Sequence, residues 1–309
     1  MKTIWYITHL SPEEFAAGQQ PGVGWCPISL PCSVQNSPFG LPPNELYQRE
    51  RIHEVEWMRQ RVWLYRTRLP AVSVGLDEEA VYQFLGIDYA CQIFLNGEKV
   101  LEHEGMFSVV EVPLPNLTEG DELLVAILPF AEDRAYPENA KARCTTGNGW
   151  DFAPKIQSAG IWDDAELLIC KRLRVTGAHV KTDIANAQRA DVIVSITLSE
   201  KASGLVTVEL DGIRRVCPLV DADQLAVPLN IPSPTLWWPN GLGQPALLEL
   251  KVTLDGTGWK AEPFTQKVGL REVRRIPCEG QGQEDIPLQL VINGQKVFIQ
   301  GVNWVPPDA

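Results

Sequence analysis

Two short segments pair a tryptophan with hydrogen-bonding side chains in surroundings rich in glycine or proline. Trp150 and Asp151 lie in the run TGNGWDFAP, and Asn303 and Trp304 lie in the run GVNWVPPDA. The face of an indole offers C–H contacts to a sugar ring, while carboxylates and amides exchange hydrogen bonds with hydroxyls. Such a site rejects ligands that lack the hydroxyl, because its polar groups would stay unpaired. These residue types therefore allow a saccharide-binding site.

The competing interpretation is that the tryptophans fill a hydrophobic core. The chain has ten tryptophans against three methionines and six tyrosines, and each buried indole contributes a large apolar area. We expect Trp57, Trp63 and Trp259 to be core residues of this kind. For Trp150 and Trp304 the residue types alone leave both interpretations open.

The sequence signatures of several common enzyme classes are missing. The chain contains no GxGxxG, GxxxxGK[ST], HExxH or GxSxG pattern, and its four histidines sit in no nucleophile motif. Its carboxylates allow many pairs, but the separation of about 5–9 Å that a glycosidase pair needs is a distance in space, which sequence spacing does not fix. Seven cysteines without a CxxC pair favour unpaired thiols. We therefore expect neither a metal nor another cofactor.

Composition and charge narrow the classes of partner. The 309 residues are 45% hydrophobic and 21% charged, which is typical of a folded chain of about two domains. A net charge of −12 repels phosphate backbones and anionic lipids, so nucleic acid and membrane surfaces are not expected partners. No run approaches the roughly 18 apolar residues of a membrane span, and the N-terminus is too polar for a signal peptide. These features predict a cytoplasmic protein.

Strand patterns dominate the first half of the chain. Short β-branched or aromatic runs are separated by clusters of Gly, Pro, Asp or Asn, as in β-sandwiches; they cover 62–69, 80–87, 106–112 and 122–128. Asn96-Gly97 between two such runs predicts a two-residue hairpin turn. Ser11 before Pro12 and Glu14 predicts the start of a short helix. The charged stretch 44–60 has weak 3.6-residue periodicity and is expected to be irregular with a helical turn.

The strand pattern restarts after Leu173. Six or seven further runs follow in roughly 100 residues, the number and size of an immunoglobulin-like sandwich. A linker rich in Gly and Gln (277–287) precedes a second predicted hairpin at Asn293-Gly294. A two-residue turn there places Leu290 opposite Val297 and Leu288 opposite Ile299, which gives the hairpin an apolar face. That face must pack on the second sandwich or on sequence beyond residue 309, because a lone hairpin is marginally stable.

Seven segments resemble, in order, motifs of glycoside hydrolase family 2, closest to its β-mannosidase-like branch. The last of them, VINGQKVFIQGVNWVPPD, contains Asn-Trp rather than the Asn-Arg-His type of the β-galactosidase and β-glucuronidase branches. The segments are LPCSV (30–34), VWLYRTRL (62–69), FLGIDYACQIFLNGEKV (84–100), GWDFAPKIQSAGIW (149–162), LWWPNGLGQPALLELKV (236–252), VGLREV (268–273) and VINGQKVFIQGVNWVPPD (291–308).

The resemblance implies an all-β fold. A galactose-binding-like jelly roll (1–172) is followed by an immunoglobulin-like β-sandwich (173–275), and residues 276–309 supply a linker and a hairpin that would open a TIM barrel. A barrel needs roughly 250 residues, so it cannot fit in this chain. In the family the catalytic glutamates lie on later barrel strands, and no catalytic residue is therefore assigned here.

The resemblance also implies a set of substrate-binding residues. The loop with Trp150 and Asp151 would reach over the barrel mouth, and Asn303, Trp304 and Asp308 would line the pocket. The expected function is the non-catalytic N-terminal portion of a retaining β-glycoside hydrolase, β-mannosidase-like, whose partners are a saccharide substrate and the missing C-terminal barrel. The chain departs from the family motifs at four positions: Phe152, Ala153, Lys155 and Pro307.

Two other hypotheses remain open. The chain could be a stand-alone carbohydrate-binding module, or a structural pair of sandwiches in which Trp150 and Trp304 are core residues. Saccharide binding by the chain itself would support the carbohydrate-binding module. Loss of turnover without loss of stability in Trp150→Ala would exclude the structural pair of sandwiches.

Overall fold

The computed structural model describes residues 1, 3–46, 48, 50–129, 158–186, 188–257, 259–278, 280, 282 and 289–302. The chain divides into two compact units, the first ending at Cys170 and the second beginning at Lys171. Both units are built from antiparallel sheets, and the fold is all-β, as the sequence predicts. Among the described residues, none of the helices has the length and apolar character that crossing a bilayer requires.

The first unit contains twelve strands, most of them short. They are β1 (Trp5–Leu10), β2 (Cys26–Ile28), β3 (Cys32–Ser33), β4 (Val62–Arg68), β5 (Glu78–Phe84), β6 (Ile87–Asp88), β7 (Ala90–Leu95), β8 (Glu98–Glu104), β9 (Val110–Pro113), β10 (Glu122–Ile127), β11 (Gly160–Ile161) and β12 (Ala165–Lys171). Their sheets run β2-β1-β4-β10-β7-β8, β12-β5-β9 and β3-β11-β6. The turn between β7 and β8 is the predicted hairpin, with Leu95 opposite Glu98 and positive φ at Asn96 and Gly97.

One large core joins the sheets of the first unit, and a smaller apolar cluster contains Leu10, Val62 and Leu64. Trp5 on β1 packs edge-to-face against Tyr82 on β5, with ring centroids 5.6 Å apart, and its Nε1–H donates to the Tyr82 hydroxyl at 3.1 Å. Trp63 on β4 is 1% exposed and donates from Nε1 to the Met58 carbonyl. The core interpretation is therefore right for Trp63. It is wrong for Trp57, which stays 37% exposed because only part of its ring packs on neighbouring side chains.

Helices are few and short in the first unit. Helix α1 (Pro12–Ala16) begins at Ser11, whose hydroxyl accepts from the Glu14 N–H while the Glu14 carboxylate accepts from the Ser11 N–H, which is the predicted capping box. The others are α2 (Pro43–Leu46) and two 3₁₀ segments (Val34–Asn36 and Arg51–Gln60).

The 44–60 stretch is more regular than its α-periodicity suggests. In the segment Arg51–Gln60 the buried residues are Ile52, Val55 and Met58. Their spacing of three residues matches the three residues per turn of a 3₁₀ helix and departs from the 3.6-residue period of an α-helix. The apolar residues thus select the tighter helix.

The second unit contains nine strands. They are β13 (Val175–Asn186), β14 (Arg189–Leu210), β15 (Ile213–Pro232), β16 (Leu248–Gly256), β17 (Trp259–Lys260), β18 (Phe264–Val268), β19 (Val273–Ile276), β20 (Gln289–Ile292) and β21 (Gln295–Val297). Two runs that the sequence separates, 190–200 and 204–212, join in the single long strand β14. The β14–β15 pairing continues through 197–204 with register shifts, and those shifts replace the expected turn.

The second predicted hairpin is present at β20–β21. Ile292 pairs with Gln295 and Leu290 with Val297 across Asn293-Gly294, which both have positive φ. The predicted pairing of Leu288 with Ile299 involves a residue outside the described part. The hairpin is supported by the second unit, because β20 pairs with β19 of that unit along four residue pairs.

Candidate functional site

The five predicted substrate residues all lie outside the described part of the chain. Trp150 and Asp151 fall in the interval 130–157, and Asn303, Trp304 and Asp308 fall in 303–309. The structure does describe the residues on which each interval is mounted. One of these mountings lies in each unit.

Both ends of the interval 130–157 are fixed at the same place in the first unit. Before it, the Leu128 N–H donates to the Ala90 carbonyl at 2.8 Å. After it, the Ser158 hydroxyl donates to Oδ2 of Asp88 at 3.1 Å. Asp88 and Ala90 are separated by one residue, and Asp88 is 2% exposed. The residues before and after the interval are thus both held by the same short stretch, Asp88 to Ala90.

The returning chain is held by strand β11. Gly160 pairs with Ser33 on one side and with Asp88 on the other. A Cβ at Gly160 would overlap the Cys32 carbonyl oxygen and lie 2.9 Å from Ser33 Cα, and its φ is +148°. Only glycine fits such a close approach of two backbones without displacement. We call Asp88, Ser158 and Gly160 the loop base.

The groups beneath the loop base are neutral. The Tyr65 hydroxyl donates to the Cys32 carbonyl at 3.1 Å, and burial raises the pKa of Tyr65 well above its ordinary value. Burial likewise raises the pKa of the Cys32 thiol to about 11. A protonated thiol is a poor nucleophile, so Cys32 is a structural residue.

Trp162 follows the loop base directly. Its backbone N–H donates to the Gly86 carbonyl at 3.1 Å, and its Nε1–H donates to the Met106 carbonyl at 2.8 Å. A Cβ at Gly86 would overlap the indole, so the ring lies against bare backbone there. Trp162 is nevertheless 38% exposed.

The second mounting is the β20–β21 hairpin, which precedes 303–309 in the chain. Asn293 at its tip makes two hydrogen bonds with Glu272. Its N–H donates to the Glu272 carbonyl at 3.0 Å, and its Oδ1 accepts from the Glu272 N–H at 3.0 Å. Its Nδ2 donates to the Trp237 carbonyl at 2.9 Å. One carboxamide therefore joins the hairpin tip to two separate segments. We call this contact the hairpin clamp.

The partners of the hairpin clamp are themselves fixed. The Trp237 N–H donates to the Leu270 carbonyl at 2.9 Å, and the Arg271 guanidinium lies 4.8 Å from the Trp237 ring centroid. Arg274 on β19 pairs with Glu272 at 2.6 Å and approaches Asp183 on β13 at 3.8 Å. The hairpin is thus tied to the sandwich of the second unit by main-chain pairing and by side chains.

Neither Asp88 nor Asn293 was predicted from the sequence to be a mounting residue. Asp88 stands in the FLGID motif and Asn293 in the NG turn, so both positions are visible in the sequence. Their side-chain partners, Ser158 and Trp237, are 70 and 56 residues away, and no local pattern reports such contacts. Within the described ranges, no group of three or more His, Cys, Asp or Glu is arranged to hold a metal ion.

Comparison with known proteins matches both units. The family model described as "Glycosyl hydrolase 2 galactose-binding domain-like" matches residues 5–163, and the model described as "Glycosyl hydrolases family 2" matches residues 173–271.

Curated relatives match nearly the whole chain. Beta-mannosidase B of Aspergillus terreus is 26% identical over 92% of the chain and 37% of its own length. Beta-mannosidase B of Thermothelomyces thermophilus is 26% identical over 96% of the chain and 38% of its own length. The crystal structure of the beta-D-mannosidase from Dictyoglomus thermophilum superposes with a TM-score of 0.75 at 22% identity, covering 99% of this chain and 40% of that one. The chain therefore spans about two fifths of the length of each of these three proteins.

Proposed function

We propose a function from one premise: this chain belongs to glycosyl hydrolases family 2. It is the non-catalytic N-terminal portion of a retaining β-glycoside hydrolase that acts on β-mannosides. The observation that carries the proposal is the alignment of 92% of the chain with 37% of a beta-mannosidase. A catalytic barrel needs roughly 250 residues of α/β structure, whereas both described units are all-β.

The role of this chain in that enzyme is to hold substrate-binding side chains. Trp150 and Asp151 would contact the sugar at the cleaved bond, and Asn303, Trp304 and Asp308 would line the pocket. The loop base and the hairpin clamp support this role. Ser158 of the loop base directly follows the first interval, and Asn293 of the hairpin clamp fixes the hairpin that precedes the second. The complete enzyme would supply the acid/base and nucleophile carboxylates from its barrel. The sugar itself stays a proposal, since the chain departs from the family motif beside Asp151.

We assign the domains as jelly roll 1–172, immunoglobulin-like sandwich 173–275, and linker with barrel start 276–309. We also place the protein in the cytoplasm. The free thiols of the described chain support that location, because disulfides persist mainly in oxidising compartments.

The first test is to sequence the gene past codon 309 and to assay both products. We expect the reading frame to continue for 250 or more residues, about the length of a barrel, with an Asn-Glu pair at a strand end. The complete protein should hydrolyse an aryl β-mannoside, and this chain alone should not. Hydrolysis by the purified chain would contradict the absence of the catalytic pair. A stop codon after Ala309 would transfer the assignment to a carbohydrate-binding module.

The second test addresses the binding residues. Trp150→Ala in the complete protein should lower kcat/KM by about 100-fold, the cost of a misplaced substrate, with a nearly unchanged melting temperature. Trp57→Ala removes a half-exposed indole elsewhere in the first unit and should leave kcat/KM unchanged. Equal losses in both variants, or a lowered melting temperature for Trp150→Ala alone, would favour a structural role for Trp150.

A further inference from the structure

The described tryptophans differ in what covers their rings. Trp5 and Trp63 are buried. The Arg66 guanidinium lies 3.9 Å from the ring centroid of Trp25, and Arg271 lies 4.8 Å from that of Trp237. A guanidinium at these distances occupies an indole face by a cation–π contact. These four indoles are therefore accounted for by packing.

Trp57 is partly exposed, and aromatic and basic side chains lie against the rest of its ring. Its centroid lies 5.0 Å from that of His9 and 5.9 Å from that of Trp63. The Arg61 guanidinium is 6.0 Å from the same ring. The exposed 37% of Trp57 is thus the rim of an aromatic cluster.

Trp162 differs from all of these. Within the described residues, no guanidinium lies over its ring, and Phe107 is its aromatic neighbour, edge-to-face at 6.1 Å. Phe107 is 57% exposed and the nearby Leu85 is 39% exposed. The two hydrogen bonds of Trp162 and its contact with Gly86 hold the ring in one orientation. We call Trp162 and Phe107 the aromatic shelf.

A fixed and exposed indole is suited to one class of ligand. The chain carries a net charge of −12, and Asp163 and Asp164 follow Trp162 directly, so anionic ligands are repelled. A pyranose is neutral and amphipathic. Its axial C–H groups can cover an indole while its hydroxyls donate to carboxylates, and each polar group keeps a partner.

We propose that the aromatic shelf is a stacking subsite for a pyranose ring of a saccharide. This proposal rests on the proposed function and extends it to residues that the family motifs do not assign. One side of the Trp162 ring lies against Gly86, so the shelf offers a single face and takes a single sugar. β-D-mannopyranose presents H1, H3 and H5 on one face and its axial O2 on the other, and it would stack through the H1–H3–H5 face.

Saturation-transfer NMR on this chain with methyl β-D-mannopyranoside and β-mannobiose tests the shelf. We expect binding in the millimolar range, with the strongest saturation at H1, H3 and H5. Trp162→Ala should weaken binding about tenfold and Phe107→Ala about threefold, as expected for lost aromatic contacts. Trp57→Ala is the matched control, since its exposure is nearly equal, and it should leave the dissociation constant unchanged.

The outcomes separate the shelf from the enzyme proposal. No binding at tens of millimolar, or equal binding by wild type and both shelf variants, overturns the shelf and leaves the hydrolysis assay untouched. The shelf would bind a sugar in either protein, so binding that depends on Trp162 retains the shelf without deciding between the glycosidase and the stand-alone module. A gene that ends at codon 309 overturns the glycosidase alone. If Trp162→Ala does not fold, Trp162→Phe and Phe107→Ala decide the question, because each keeps more of the packing.

Discussion

The loop base and the hairpin clamp perform the same task by different means. In the first unit the chain is fixed where Asp88 is 2% exposed and Gly160 pairs with Ser33 on one side and with Asp88 on the other. In the second unit the half-buried Asn293 carboxamide at a hairpin tip makes the fixing hydrogen bonds, and Phe298 beyond β21 is 85% exposed. The loop base is therefore part of a hydrophobic core, whereas the hairpin clamp lies at the outside of one. Disruption should therefore be global in the first case and local in the second.

Gly160→Ala should produce the largest effect. The added Cβ has no space beside Cys32 and Ser33, and alanine is strained at a φ of +148°. Overpacking and backbone strain together should lower the free energy of unfolding of the first unit by about 3 kcal/mol or more. Urea unfolding of the purified chain measures this loss. Gly22→Ala meets open space and should stay within about 0.5 kcal/mol of wild type; a similar loss in both variants would contradict the close-approach argument.

Asp88→Ala should produce the second largest loss of stability. It removes the acceptor of Ser158 from a buried position, and hydrogen bonds to charged groups contribute about 1.5–3 kcal/mol. Ser158→Ala leaves the carboxylate in place and should cost about 1 kcal/mol. Hydrogen exchange should accelerate around β6 and β11 in the Asp88 variant. Protection unchanged in both strands would show that Asp88 does not fix the loop base.

Asn293→Ala should act locally in the second unit. It removes two side-chain hydrogen bonds and places alanine at a φ of 49°, for a combined loss of about 2 kcal/mol. Asn293→Gly keeps the backbone conformation and removes only the bonds, so it should lose less. Exchange should rise in β20 and β21 while β14 and β15 keep their protection. Equal exchange in the two variants would mean that the carboxamide, and not the backbone, accounts for the whole effect.

The smallest effect should be a pH dependence confined to the first unit. Burial lowers the pKa of His9, the positive charge of Arg61 lowers it further, and Glu14 opposes the shift. The unfolded chain then binds a proton near pH 6.5 that the folded unit rejects. Stability is full above that pH and falls as the pH decreases toward the lowered folded value.

His9→Phe removes the titrating group and keeps an aromatic ring among Phe39, Trp57 and Trp63. The melting temperature of the first unit should then vary less between pH 6.5 and 5. An unchanged slope in His9→Phe would assign the acid sensitivity to carboxylates.

Local pattern predicted the elements well and their contacts poorly. Period-two alternation and the two Asn-Gly turns placed the strands and both hairpins, because these signals arise from neighbouring residues. The merger of two runs into β14 was not predictable, since SEKASG at 199–204 is typical of a turn. Its pairing with β15 overrides that local preference.

The mounting residues show the same limit more sharply. Asn293 was predicted only as a turn residue, because the Asn-Gly dipeptide favours the backbone conformation of a two-residue turn. Its bond to Trp237 depends on how the chain folds back, so nothing near Asn293 in the sequence reports it. The substrate residues Trp150, Asp151, Asn303, Trp304 and Asp308 stay predictions, since they came from the family motifs.

The long β14–β15 hairpin has a consequence for the order in which structure forms. Its two strands adjoin in sequence, with Leu210 opposite Ile213, so the pairing can grow from the turn without first closing a large loop. In the first unit, β1 pairs with β4 and β4 pairs with β10, so segments that are distant in sequence must come together. Folding rates fall as contacts become less local. In refolding from denaturant, the second unit should therefore reach its native pairing before the first, even though the first is made earlier on the ribosome.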